Sequence, residues 1–361
     1  MKAVVLREHG GIEKLLYEDV KKPTAGPGEV LVKICASGVN HLDHDLREGV
    51  AGFDVALPHV MGVEGAGEVV ELGEGVLGAK IGDRVAIDFA QGDPQSNMWL
   101  SGLDGVDFTY GRVGVSQWGT HAEYTRCLAT SLMPLPDSLS FEKAAASVVG
   151  FGTSWHMAVT LGEVRADKTV MINAAGSVVG TSAIQVAKLH GARVIATAGS
   201  DAKLEKAKEL GADEVINYTT QSIREEALKM TNGHGVDLVI ESVGGDVLVQ
   251  SIDAVCENGR LITCGAHAGE TVPINIIELF RKHMMLHGSH FAGKREVAHV
   301  LKLVSEGKLS PVINAVTPFS EVQESARKTA ERDVFGNFYL NPQGSVEVST
   351  IFSFLHQTRG V

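Results

Sequence analysis

Between about residue 170 and residue 264 the chain alternates short β-branched apolar runs with stretches of helical spacing, and few folds accept that rhythm. Val170–Ala174, Arg193–Thr197, Glu214–Ile216, Asp237–Glu241 and Arg260–Cys264 read as strands. Ser177–His190 and Ala202–Leu210 read as helices, the second stopped at Gly211. Strands and helices that alternate in this way predict a parallel sheet covered on both faces, the doubly wound α/β arrangement.

The first of these strands enters a small-residue turn, Ala174-Ala-Gly-Ser-Val-Val-Gly, and then a helix. A dinucleotide pyrophosphate needs such a turn: tight, open to close backbone approach, with the first helical N–H groups aimed at the anion. Gly176 and Gly180 meet two of these demands, and Ser177 can cap the helix or bond a phosphate oxygen. Ala174 stands at the first glycine position of Gly-x-Gly-x-x-Gly, and Val178 where a small residue is common. Tight strand–helix packing alone asks for the same residues. The end of the second strand sharpens the reading. Ala198 occupies the place of the acidic residue that binds a ribose 2′-hydroxyl, and Ser200 and Lys203 follow it. Loss of the carboxylate, with a hydroxyl and an ammonium nearby, favours a 2′-phosphate and therefore NADPH over NADH. Lys203 reads equally well as a solvated helix residue.

The chain before residue 140 has a different grain. Glu29–Ser37, Gly67–Leu72 and Asp83–Ala90 are strand-like runs with glycine and proline between them, and Met1–Arg7 reads as another. They predict a β-rich unit. Gly92–Gly119 reads as a long functional or mobile loop, and Phe141–Thr160 as a helix. After the alternating region, Leu286–Phe291, Val312–Thr317 and the helix Ser320–Glu331 return to mixed α+β character, and nothing beyond Pro342 has a periodic partner. A length of 361 residues suits two domains.

Composition narrows the function. Four cysteines, Cys35, Cys127, Cys256 and Cys264, lie far apart without a Cys-x-x-Cys pair, so neither a disulfide framework nor a local zinc lobe is expected. A net charge of -12 disfavours nucleic acid. No apolar run reaches the roughly 20 residues of a membrane span, and the N-terminus lacks the apolar stretch of a signal peptide, so a cytoplasmic protein is expected.

Gly38-Val-Asn-His-Leu-Asp, Gly62-Val-Glu-Gly-Ala-Gly-Glu-Val-Val-Glu-Leu-Gly, Gly82-Asp-Arg-Val, Gly119-Thr-His-Ala-Glu-Tyr, Phe151-Gly-Thr-Ser-Trp and Leu210-Gly-Ala-Asp-Glu-Val-Ile-Asn-Tyr occur in this order. With the turn at Gly176 they resemble the medium-chain dehydrogenase/reductases over nearly the whole chain, to about Leu340. The resemblance implies a GroES-like catalytic domain built from 1–150 and 290–342, and a Rossmann domain over 151–289. Residues 343–361 have no assigned role. It further implies NAD(P)-dependent hydride transfer in the cleft between the domains, and a homodimer formed through the edge strand Met284–Phe291. The cofactor contacts it implies are Thr153, Gly176, Ser177, Val178, Val179, Gly180, Ser200, Lys203, Tyr218, Val243, Cys264, Gly265 and Ala266.

The chain departs from its zinc-binding relatives where they keep metal ligands. The matching positions are Asn40, Val63 and Val149, and the loop that would hold a structural zinc has no cysteine. What remains is similar to the quinone oxidoreductases and enoyl reductases of the family. An unorthodox site from His41, Asp43, His44, His59, Glu64 and His121 is the less favoured alternative. By place in the motif, His41 orients cofactor or substrate, and Glu64 is either a supporting carboxylate or a buried acceptor. The expected catalytic set is Asn40, His41, Asp43, Glu64 and Tyr110, with no metal. Asn40, or a loop donor such as Tyr110 or Ser116, is expected to bind a substrate carbonyl. The activity implied is NADPH-dependent reduction of an activated C=C bond or a quinone. The alternatives are an NAD(P)-dependent alcohol dehydrogenase or carbonyl reductase, and a non-catalytic NADPH-binding protein.

Overall fold

A computed structural model describes residues 1–50, 52, 55–331, 334–342 and 344. The expectation of a tail without a role over 343–361 lies almost wholly outside them. The chain divides into two compact units, Met1–Val148 with the segment from Val312 onward, and Val149–Pro311. The second boundary therefore falls at Val312 and not near residue 290. The reason is the helix Lys294–Ser305, which belongs to the second unit. Its Glu296 accepts a hydrogen bond from His156 Nδ1 at 2.9 Å, and its Val297 packs where Gly152 leaves room.

The first unit is β-rich, as its alternating runs require. A seven-stranded sheet runs Ile313–Pro318, Asn337–Asn341, Glu29–Gly38, Gly65–Leu72, Arg84–Ile87, Leu132–Pro134, with Tyr124–Leu128 added beside Glu29–Gly38. Val30, Leu31, Val32, Ile34 and Ala36 are all fully buried, so the long strand Glu29–Gly38 is covered on both faces and forms the spine of the core. The C-terminal strand Asn337–Asn341 lies antiparallel to that spine, with Tyr339 opposite Gly38. A smaller sheet joins Leu15–Asp19, Lys2–Leu6 and His59–Val60. The helix His41–Glu48 starts directly after the spine strand and ends at Gly49, whose φ of 76° gives a left-handed cap.

The second unit is a parallel six-stranded sheet in the order Glu214–Asn217, Arg193–Ala198, Thr169–Ile172, Val236–Glu241, Val255–Thr263, Met285–Gly288. Met171, Ile195, Ile216, Val239 and Leu261 contribute to one buried core on it. The order reverses at Thr169–Ile172, where successive strands leave on opposite sides. Ligands of such sheets bind outside the carboxyl ends of the strands at this reversal. Among the described residues no helix is long and apolar enough to cross a membrane.

Several boundaries differ from expectation. The strand anticipated at Arg260 begins at Val255, because Glu257-Asn258-Gly259 interrupts its apolar run at a register shift. The helix expected over Phe141–Thr160 is present, as Phe141–Trp155 followed by a π-helical turn, His156–Leu161. The loop Gly92–Gly119 contains two short helical turns, Asn97–Leu100 and Asp104–Val106.

Candidate active site

The glycine turn of the second unit brings the end of a strand against the start of a helix. Ala174 is held at a positive φ of 51°, and Ser177 caps the helix Val178–Leu189 by accepting the Gly180 N–H at 2.9 Å. A Cβ on Gly180 would lie 2.3 Å from the Ala174 carbonyl oxygen, so only glycine lets this helix close onto the strand. Ser154 Oγ donates to the Val179 carbonyl at 2.9 Å and brings the segment carrying buried Thr153 against the turn. Beneath, Thr197 Oγ1 donates to Asn173 Oδ1 at 2.9 Å, and Asn173 Nδ2 to Ser251 Oγ at 2.8 Å, so three buried polar side chains tie two strand ends to the helix Gly245–Ala254.

Ala198 is buried at the end of its strand, and Ser200 and Tyr218 are half-buried beside it. A Cβ on Gly199 would lie 3.1 Å from the Tyr218 hydroxyl, which fixes the phenol at this corner. The nearby acid does not face the corner freely: Asp201 Oδ1 accepts from Asn217 Nδ2 at 2.7 Å. Lys203 lies half-buried in the first turn of the helix Asp201–Glu209.

Val243, Cys264, Gly265 and Ala266 are drawn together by a residue that sequence reasoning missed. Glu241, fully buried, ends its strand and accepts from the Val243 N–H at 2.6 Å, the Gly244 N–H at 2.9 Å and the Thr263 hydroxyl at 2.9 Å. Burial pushes its carboxyl up, opposed by these donors. A carboxylate closing the buried apolar run Leu238-Val-Ile was the signal available. Burial, with the Glu241 charge beside it, pushes the Cys264 thiol up to about 12, so this cysteine stays protonated and is no nucleophile.

In the first unit Asn40 is the N-cap residue of the helix His41–Glu48, and its amide Nδ2 donates to Glu64 Oε1 at 2.9 Å. Glu64 is fully buried, and the Tyr339 hydroxyl donates to the same oxygen at 3.4 Å. Burial, then the Glu64 charge, holds the Tyr339 phenol well above its usual range, so it remains a donor. Tyr339, from the far end of the chain, was not legible in the sequence. Asp43 serves the backbone: its carboxylate accepts the Asn40 N–H at 2.8 Å and the Gly62 N–H at 3.1 Å, while burial pushes its pKa up. His41 and His44 stand one turn apart with ring centroids 5.4 Å from each other. His59 Nε2 and His121 Nε2 each bond a backbone carbonyl, of Gly114 and Gly38. Among the described residues, no group with metal-ligand spacing contains more than one of His41, Asp43, His44, His59, Glu64 and His121.

The loop 92–119 is organised around Asp107. Its carboxylate accepts from the Ser96 hydroxyl, the Asp93 N–H at 3.2 Å, and the Thr109 N–H and hydroxyl at 3.1 and 2.6 Å. Burial opposes ionisation, but the Ser96 and Thr109 donors outweigh it and hold this carboxyl below the usual range. Tyr110, two residues on from Thr109's neighbour Phe108, is half-exposed, as is Ser116 close by in the same loop. Asp107→Ala is expected to cost about 2 kcal/mol and to make this loop the first site of proteolysis. Because the folded-state pKa is depressed, that stabilisation is present above the unfolded value of about 3.9 and fades as pH falls through the folded value. Melting curves of both proteins should therefore differ at neutral pH and draw together only as pH falls from about 4 through the lower folded value.

Comparison with known proteins places these features in a family. The zinc-binding dehydrogenase family matches residues 178–306, and the alcohol dehydrogenase GroES-like domain matches residues 26–137. A zinc-type alcohol dehydrogenase-like protein of Schizosaccharomyces pombe is 32% identical over 90% of this chain and 94% of its own. A quinone oxidoreductase of Pseudomonas aeruginosa is 32% identical over 78% of each chain. The crystal structure of an NAD-dependent alcohol dehydrogenase, 40% identical, superposes with a TM-score of 0.89 over 94% of this chain and 99% of that one.

Proposed function

The chain belongs to the medium-chain dehydrogenase/reductase superfamily and is an oxidoreductase, and on that premise we propose that it reduces an activated C=C bond or a quinone with NADPH and without zinc. The observation that carries this reading is the use of Asn40. A catalytic zinc needs about three N, O or S donors. Of the three positions where zinc-binding relatives keep them, Val63 and Val149 offer only methyl groups, and Asn40 offers a neutral amide whose Nδ2 donates to Glu64. These residues do not fit the metal.

Bound NADPH would supply the hydride. The N–H groups at the start of the helix Val178–Leu189 would receive its pyrophosphate, with Ser177 beside them. Ser200, Lys203 and Tyr218 would surround the 2′-phosphate, a corner from which the Asp201 carboxylate is drawn towards Asn217. Val243 and the turn Cys264–Ala266 would border the nicotinamide half, with Thr153 facing it.

Asn40 Nδ2 carries two hydrogens. One is given to Glu64, which fixes the plane of the amide; the other is the donor this reading assigns to the substrate oxygen. Hydride addition to the electron-poor carbon builds negative charge on that oxygen, and a pre-oriented donor stabilises it without reorganisation. Glu64 and Tyr339 hold Asn40 in place, Asp43 holds the helix start, and His41 lies on the first turn to orient cofactor or substrate. Tyr110 keeps its half-exposed phenol for a loop contact.

A second reading, an NAD-dependent alcohol dehydrogenase, is favoured by the 40% identical structure of that activity. Initial rates with an enone, a quinone, an aldehyde and a primary alcohol, each with both nicotinamides, separate the two. Enone or quinone reduction with NADPH supports our reading; alcohol oxidation with NAD alone supports the second.

The reading also includes a homodimer. Among the described residues Met285–Gly288 has a partner strand on one side only, and Met285, Ile276, Ile277 and Phe280 are exposed near it, which a second copy would cover. A light-scattering mass of one chain would remove the dimer.

A further inference from the structure

At the end of the parallel sheet opposite the glycine turn, three side chains of metal-ligand type converge. His234 lies in the turn before the strand Val236–Glu241, Asp237 is the second residue of that strand, and Cys256 is the second residue of Val255–Thr263. One ligand atom from each lies within 4.8 Å of the others, and Cys256 Sγ is 4.0 Å from Asp237 Oδ1. We propose that His234, Asp237 and Cys256 form a site for one divalent ion of the zinc type, remote from the nucleotide end of the sheet.

The donor set is imidazole, carboxylate and thiolate, the three kinds that zinc takes. Tetrahedral bonds of about 2.0–2.3 Å put ligand atoms roughly 3.3–3.8 Å apart, so closure needs side-chain movement of about an ångström and none of the backbone. The backbone is already fixed. A Cβ on Gly235 would lie 2.6 Å from the Ala254 carbonyl oxygen and 3.0 Å from the Cys256 nitrogen, so the His234 turn is pressed against the strand that carries the thiol. Thr231 Oγ1 anchors this turn by accepting the Gly235 N–H at 2.9 Å. The register of the two strands shifts between Val236 and Leu238, which is where Asp237 projects. His234 is exposed and turns freely into place, with solvent for a fourth ligand.

Lys168 is the competitor. Its ammonium sits 2.9 Å from Asp237 Oδ1, while the Thr169 N–H donates to Oδ2 at 2.8 Å. A divalent ion takes the place of the ammonium on Oδ1, and Cys256 releases its thiol proton to solvent as the sulfur–metal bond forms. Occupancy ties the turn to two adjacent strands and raises the melting temperature with ion concentration.

The test is titration of the full chain with Co²⁺, read at the thiolate-to-cobalt charge-transfer absorption, followed by displacement with Zn²⁺. One equivalent with a thiolate band is expected. Cys256→Ser should abolish the band, His234→Ala should weaken binding by at least the roughly 10–100-fold that loss of an outer-sphere partner costs, and Lys168→Met should tighten it. Melting without metal confirms that each variant is folded. A parent chain without a thiolate band, a band that survives Cys256→Ser, or affinity unchanged in His234→Ala overturns the site.

Discussion

Asn40→Ala is expected to lower kcat/KM for an enone or quinone by about 10²–10³, the cost of removing one pre-oriented donor to a developing oxyanion. The fall should appear in kcat as much as in kcat/KM, because the contact strengthens only as charge develops. NADPH affinity should be unchanged, since Asn40 belongs to the β-rich unit and the glycine turn to the other. Stability should also drop, because Glu64 loses its Asn40 donor and keeps the Tyr339 hydroxyl at 3.4 Å. These effects are separable. If the folded variant, well below its melting temperature, turns over at the parent rate, Asn40 is a structural cap and the assigned role is wrong. Tyr339→Phe supplies a graded comparison: it removes one support of Glu64 and leaves the Asn40 amide in place, so a smaller kcat loss is expected.

The second large effect concerns the cofactor. Ser200→Asp places a carboxylate at the corner that our reading gives to the 2′-phosphate, beside buried Ala198 and the Tyr218 ring. Like charges in contact cost several kcal/mol, so the NADPH-to-NADH preference should fall by about 10²-fold or reverse. Ser200 is half-buried and caps its helix without a side-chain hydrogen bond, so the substitution removes no capping hydrogen bond. The check is the ratio of kcat/KM for the two cofactors with one substrate. An unchanged ratio means that this corner does not read the phosphate.

Local patterns in the sequence carried most of the second unit. Its parallel strands announced themselves by alternation, and the turn Ala174–Gly180 by its need for small residues, so the fold and the tight strand–helix turn were legible there. The β-rich unit was legible through its spine strand, but Leu15–Asp19 was not, since Leu16 and Tyr17 point outward on a short edge with little periodicity. The helix Lys294–Ser305 was overlooked, which displaced the second boundary. Residues defined by long-range contact stayed hidden. Tyr339 meets Glu64 across 275 positions, and nothing local to Phe338-Tyr-Leu marks that hydrogen bond. Asp43 illustrates the converse: it sits in the right motif, yet both its oxygens are engaged by backbone N–H groups, a role that residue type alone does not distinguish from chemistry. Glu241 lies between these cases, visible as a charge at the end of the apolar run Leu238-Val-Ile and explained only by the turn it gathers.

Hydride transfer from NADPH to a conjugated C=C bond or quinone, by a site that does not use zinc, is the activity we propose. The most direct measurement is NADPH consumption with an enone before and after exhaustive dialysis against a strong chelator, with the metal content of each sample determined. Turnover that is unchanged in the metal-depleted enzyme is the result predicted. Turnover that disappears with the metal and returns with one equivalent of Zn²⁺, accompanied by oxidation of a simple alcohol, would contradict it.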